Sequence, residues 1–170
     1  MAKPPPFDPY ALLEALDRRG VAYIVVGGFA RVLQGTEELT WGLDIVPSTR
    51  PENLPRLEAA LHDLDARRPD GKPVTADART IAAQQPLLAL ATEHGELNIV
   101  SEPAGTRGYD DLRRAATREP IGKGLRPQVA SVGDLARMVS ALDQPERATQ
   151  LLQLRRIVEL ERARGRGIER

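Results

Sequence analysis

Hydrophobic and polar positions fall along the chain in blocks whose periods separate helices from strands. Asp8-Pro9 supplies an N-cap and a first-turn proline. Tyr10, Leu12, Leu13 and Leu16 follow at helical spacing until Gly20, which predicts a helix over 8–19. Residues 21–26 are a compact apolar run closed by Gly27-Gly28, the pattern of a buried strand and a tight turn. A short helix is expected over 29–34 and a second short strand over 43–46, closed by Pro47. Thr49, Pro51 and Glu52 open a helical pattern carried by Leu54, Leu57, Leu61 and Leu64, and Pro69-Asp70-Gly71 marks a turn. Residues 87–92 and 96–100 flank His94-Gly95 as a hairpin. A loop over 105–108 leads into a short helix over 109–116, and 125–130 reads as a last strand. Ser131, with Asp134 three residues on, caps a helix striped by Leu135, Met138, Val139 and Leu142, and a longer helix is expected over 145–163.

This order predicts an α+β domain, a mixed α/β arrangement in which helices flank a short mixed sheet and a helical pair ends the chain. Residues 1–7 read as a disordered leader, 8–130 as the main domain, 131–163 as helices packed on it and 164–170 as a frayed tail.

Composition narrows the chemistry. Among 170 residues, 24 Lys plus Arg balance 24 Asp plus Glu, with two His and no Cys. Disulfides, thiolate metal sites and cysteine nucleophiles are excluded, and the balanced charge argues against a generic nucleic-acid coat. With 41% hydrophobic and only 4% aromatic residues, the core must be built from Leu, Val, Ala and Ile. No apolar run approaches the roughly 20 residues of a membrane span, and Met1-Ala2-Lys3-Pro4 opens no secretion signal, so a cytoplasmic location is expected. His62 and His94 stand far apart and read as structural, and no Gly-x-Ser-x-Gly elbow occurs. The tail over 155–170 carries six Arg against three Glu, which reads as a solvated helix face more readily than as an RNA grip.

The residues that draw attention lie between 23 and 47. Gly27-Gly28 either cradles phosphates at a helix start or only turns the chain. Asp44 sits between apolar neighbours, where an idle charge is costly. Trp41, the only tryptophan, either stacks on a base or packs beside the strand, and Arg31 follows the glycines by one helical turn. The run from Tyr23 to Arg31 together with Leu43-Asp44-Ile45-Val46-Pro47 resembles the signature of the nucleotidyltransferase superfamily, the polymerase-beta-like fold. Residues 95–100, Tyr109-Asp110-Asp111-Leu112 and the Ser131-to-Met138 stretch extend the likeness to small stand-alone members, among them toxins of bacterial toxin–antitoxin systems.

That resemblance implies a nucleoside triphosphate bound over Mg²⁺, with Gly27 and Gly28 as the phosphate cradle, Arg31 as a phosphate clamp, Trp41 beside the nucleotide and Asp44 as catalytic metal ligand. The family pattern Thr-x-Asp-x-Asp stands here as Thr40-Trp41-Gly42-Leu43-Asp44, so Gly42 removes one carboxylate. Asn98 stands where a third acid is expected, Val139 where related toxins often carry Lys, and Arg147 near the place of a further acid. Glu96, on the same strand face as Asn98, is the candidate substitute metal ligand, with Asp110 and Asp111 as more distant ones. The expectation is a degenerate, weakly active or inactive member that binds nucleotide or a protein partner, in a toxin–antitoxin-like system. The alternative is an active metal-dependent enzyme moving a nucleoside monophosphate to tRNA, protein or a small molecule. Oligomeric state is left open.

Overall fold

The computed structural model describes residues 6–72, 74 and 87–168. Helix α1 (Pro9–Arg18) starts where the sequence places it, with the Asp8 carboxylate accepting from the Ala11 N–H at 3.2 Å. It is followed by β1 (Tyr23–Val26), α2 (Gly27–Gln34), β2 (Gly42–Pro47), α3 (Leu54–Asp63), β3 (Leu88–Thr92) and β4 (Gly95–Ile99). Then come α4 (Tyr109–Leu112), β5 (Thr117–Arg118), β6 (Gln128–Val129), α5 (Val132–Leu142), a 3₁₀ turn (Pro145–Arg147) and α6 (Ala148–Ile168). The six strands form one mixed sheet in the order β3-β4-β2-β1-β6-β5. β1 runs antiparallel to β2, β2 parallel to β4, and β3–β4 is the expected hairpin. The expected α+β class and closing helical pair are therefore correct.

Alternation along the central strands divides the sheet into two faces. Leu43, Ile45, Leu97 and Ile99 are buried in a core that includes Leu12, Leu16, Leu57 and Leu61 from α1 and α3. The opposite face carries Gly42, Asp44, Glu96 and Asn98, flanked by α2 and α5. Register fixes neighbours across strands: Asp44 lies opposite Val26 on one side and Asn98 on the other, and Gly42 lies opposite Glu96.

Local departures from expectation have local causes. The second helix begins at Gly27, directly from β1 with no intervening turn, because Gly27 adopts φ +72° and redirects the chain in one residue. The last strand shrinks from 125–130 to Gln128–Val129: Pro127 has no N–H to give, and Leu125 pairs back to Gly122 in its own tight loop. Its partner β5 was not anticipated, since two exposed residues leave no periodic signal. α4 ends at Leu112 after a single turn rather than reaching 116. Of the expected leader, residues 1–5 lie outside the described residues, and Phe7 packs edge-on against Phe29 with ring centroids 6.0 Å apart. Among the described residues no helix is long and apolar enough to cross a membrane.

One buried polar side chain ties the platform together. Asn53, 2% exposed, accepts from the Ala22 N–H at 2.7 Å and donates to the carbonyls of Ala22 at 2.9 Å and Ser48 at 2.8 Å. It thereby joins the entry to β1, the exit from β2 and the start of α3. Asn53→Ala strands the Ala22 N–H and the Ser48 carbonyl, while the Ala22 carbonyl keeps the Ser48 N–H at 3.0 Å, and is expected to destabilise the protein by about 2 kcal/mol, read as a lower urea midpoint at unchanged slope.

Candidate functional site

A cleft of about 570 Å³ opens over the polar face of the sheet, between β2–β4, the start of α2 and helix α5. Gly27, Gly28, Arg31, Trp41, Gly42, Asp44, Glu96, Asn98 and Val139 all line it, so these positions, far apart in the sequence, come to one place. Asp110 and Asp111 do not: they sit on α4, where Asp110 faces Arg50 and Arg113, and Asp111 faces Arg137.

Asp44 occupies the floor. Its Oδ1 accepts from Asn98 Nδ2 at 2.9 Å, and the rest of its carboxylate lies against Gly27. A Cβ built on Gly27 would fall on that carboxylate, so glycine is required here twice over, by its positive φ and by this contact. Gly28 is needed for space alone: a Cβ there would meet Glu38 Oε1 and Thr40 Oγ1, both at 3.3 Å. Burial pushes the Asp44 carboxyl above the ordinary carboxylate range, and this outweighs the Asn98 hydrogen bond and the charges of Arg31 and Arg147, which pull it down.

The position missing an acid is not empty space. A side chain at Gly42 would begin 3.1 Å from Glu96 Cβ and 3.5 Å from Glu96 Oε2. The neighbouring strand's carboxylate therefore reaches towards the room that a residue-42 side chain would enter, and glycine is what lets it do so.

The cleft also holds a carboxylate that sequence reading missed. Glu38 accepts from Arg31 Nε at 3.0 Å and Nη2 at 2.9 Å and from the Thr36 hydroxyl at 2.8 Å, and Arg147 Nη1 lies 3.6 Å away. Both Arg31 and Glu38 side chains are buried, at 9% and 5% exposure. Burial raises the Glu38 carboxyl, and the bonds from Arg31 and Thr36 with the charges of Arg31 and Arg147 more than offset it, leaving it below the ordinary range. Arg31 thus spends its charge inside the protein. No motif announces Glu38; the available signal was only an acid seven residues after an arginine on an amphipathic helix.

Walls above this floor are apolar. Leu135, Met138, Val139 and Leu142 of α5 form one side, and the 36–41 loop presents Leu39 and Trp41, 84% and 74% exposed, on the other. Val139, where a lysine was expected, adds only apolar surface, and Arg147 brings a positive group where an acid was sought.

The residues present do not fit the metal set that the fold suggests. Among the described residues no group of three His, Asp or Glu is arranged to hold an ion. Asp44 is the one buried carboxylate at the expected position, and an amide N–H already binds its Oδ1, while the Asn98 Oδ1 is buried without a partner. Mg²⁺ at phosphate sites is usually held by one or two carboxylates together with phosphate oxygens and water; this face offers Asp44, already bonded to a neutral amide, and the exposed Glu96 two positions from Asn98.

No family model and no curated protein matches this sequence. Solved structures do. The lincosamide antibiotic adenylyltransferase LnuA, in its lincomycin-bound crystal structure, superposes with a TM-score of 0.60 at 14% identity, over 88% of this chain and 95% of that one. ANT(2'')-Ia in complex with adenylyl-2''-tobramycin gives 0.54 at 15% identity, over 95% of this chain and 97% of that one. The solution structure of the antibiotic-resistance factor ANT(2'')-Ia gives 0.52 at 16% identity, over 95% and 90%. The chain has the nucleotidyltransferase fold, as its glycine pair and Asp44 led us to expect.

Two outcomes follow from these buried charges. Because the Asp44 proton is held more tightly in the native state than in the unfolded chain, its contribution favours folding in acid and is lost as pH rises through its native pKa. Asp44→Asn keeps the shape and an acceptor for Asn98, and is expected to raise Tm at pH 7 while leaving it unchanged near about pH 3. Glu38→Ala leaves Arg31 charged, buried and unpaired, and is expected to cost on the order of 3 kcal/mol in denaturant titration.

Proposed function

We propose that this protein binds a nucleotide in the cleft over Asp44 and has lost efficient nucleotidyl transfer. The phosphate end of the ligand would meet the start of α2, where Gly27 and Gly28 bring the backbone close and no side chain caps the first-turn N–H groups. Arg147, 41% exposed and shared with an already paired Glu38, is the cation best placed to add charge. Trp41 offers an exposed aromatic face at the rim. The observation that carries the reading is the 2.9 Å bond from Asn98 Nδ2 to Asp44 Oδ1: a neutral amide donor stands beside Asp44 where the resemblance implies a further acid, and Asp44 would hold any Mg²⁺, whose chemistry would be to stabilise charge in phosphoryl transfer, without that acid's help. The residues that remain bind and orient; they supply neither a full metal set nor, at Val139, a lysine. A toxin–antitoxin-like setting, with a protein partner for a silent member, is the biological context that the sequence resemblance suggests. The fold neighbours named above act on or bind antibiotics, and an acceptor of any such class for this chain belongs to the second reading.

In that reading transfer persists, and one observation favours it: Glu96 Oε2 lies 3.5 Å from the point where a residue-42 side chain would begin. The two are separated by titrating ATP, GTP, CTP and UTP calorimetrically with and without Mg²⁺ or Mn²⁺, alongside transfer of label from α-labelled nucleotide. Binding of at least one nucleotide without metal enhancement and without transfer is expected. Metal-strengthened binding with transfer would establish the active reading, and no binding of any of the four would overturn nucleotide recognition itself. Gly42→Asp with Asn98→Asp is expected to raise Mg²⁺ affinity at least about tenfold. Glu96→Ala is added in a third variant, because Glu96 crowds the space that the new side chain at 42 needs.

A further inference from the structure

Behind Trp41 and Glu96 lies a second chamber of about 470 Å³, a volume suited to a small organic ligand. Phe7, Pro69, Ala89 and Ala91 contribute its apolar lining, and Trp41 and Glu96 are shared with the cleft over Asp44. Among the described residues Glu96 is the only charged side chain lining it, and it forms no ion pair. The one hydroxyl nearby, on Thr92, is spent within the hairpin, donating to the Gly95 carbonyl at 2.7 Å and accepting from the His94 N–H at 3.0 Å.

Glu96 is exposed, and its carboxylate is the one charge that the described, otherwise largely apolar lining presents to a ligand. An anionic ligand seated there would be repelled by Glu96 and a neutral one could return at most a hydrogen bond, whereas an ammonium group offers opposite charge and donors together. Trp41, 74% exposed though it is the sole tryptophan, offers the kind of ring face that attracts cations when water is excluded, and Phe7 lies on the same chamber. Gly42 completes the arrangement, since any side chain at that position would begin 3.1 Å from Glu96 Cβ and press on it from the cleft side.

We propose that this chamber is a binding site for a small amphiphilic amine, with its ammonium on Glu96 and its apolar body against Trp41 and Phe7. The site needs neither metal nor nucleotide, and so stands independently of the function proposed for the neighbouring cleft.

Trp41 reports on it directly, being the only tryptophan in the chain. Fluorescence titration of the full chain with 2-phenylethylammonium is expected to give a saturable change that EDTA does not alter. The near-isosteric 2-phenylethanol and the anionic 3-phenylpropionate are expected to bind at least about tenfold more weakly. Glu96→Gln should reduce the ammonium to the affinity of the alcohol, and Ala91→Leu, which adds bulk to the same wall, should weaken the response to both. Equal affinity for ammonium and alcohol, insensitivity to Glu96→Gln, or no saturation below about 10 mM would overturn the proposal. ATP binding without amine binding would sink this site alone, and the converse would sink only the nucleotide reading.

Discussion

The parallel pairing of β2 with β4 is the constraint on which the cleft depends. In a strand pair, residues matched in register project their side chains to the same face, so Gly42 with Glu96 and Asp44 with Asn98 become couples by geometry. A one-residue slip of β2 would carry Leu43 and Ile45 out of the core and send Asp44 into it, and a slip of β4 would expel Leu97 and Ile99 and bury Glu96 and Asn98. Each of those four apolar side chains is essentially fully buried, and burial of each is worth about 2 kcal/mol. The hydrophobic face thus locks the polar face, and the chemistry of the cleft is decided by the identity of four side chains held in a fixed arrangement.

A second constraint comes from the buried pair of Arg31 and Glu38. An isolated guanidinium at this depth would be costly, and Glu38 neutralises it with a two-point contact while Thr36 satisfies part of the same carboxylate. The pair pins the 36–41 loop against α2. Gln153 of α6 fastens the next backbone position, accepting from the Glu37 N–H at 3.1 Å. Leu39 and Trp41 therefore stand exposed on a loop that is anchored on both sides, which makes them a prepared surface instead of a stray apolar patch. Arg31, which lines the cleft and reads from sequence as a ligand contact, is also the post on which that surface is mounted.

Helices α1 and α5 were legible because their caps and apolar stripes are both local: Asp8 and Ser131 each accept from a backbone N–H three residues on. The glycine pair and Asp44 were legible because close backbone approach and a charge among apolar neighbours are unusual in a sequence. What the sequence could not display were relations between distant segments. Strand β5 is a two-residue exposed pairing held by β6, and Glu38 is an ordinary loop acid until α2 and the 3₁₀ turn close around it. The nearness of Glu96 to Gly42 also depends on parallel register, which no local pattern encodes.

The departures from the metal-binding pattern are physically consistent with one another. Two carboxylates facing each other at positions 44 and 98 would repel unless a cation lay between them, and one would be forced to keep its proton. With glycine at 42 no second acid on β2 helps to hold such a cation, and an aspartate at 98 would stand unbalanced against Asp44. Asparagine resolves it: the amide N–H supplies Asp44 with the positive partner that a metal would have provided, at no cost in net charge. The same logic holds at the mouth, where Arg147 approaches Glu38 in place of an acid, so the cleft carries its own counter-charges. The carboxylates of Asp44 and Glu38 thus each keep a hydrogen-bonding partner inside the cleft, while Glu96, which forms no ion pair among the described residues, stands exposed beside Gly42, where water serves it.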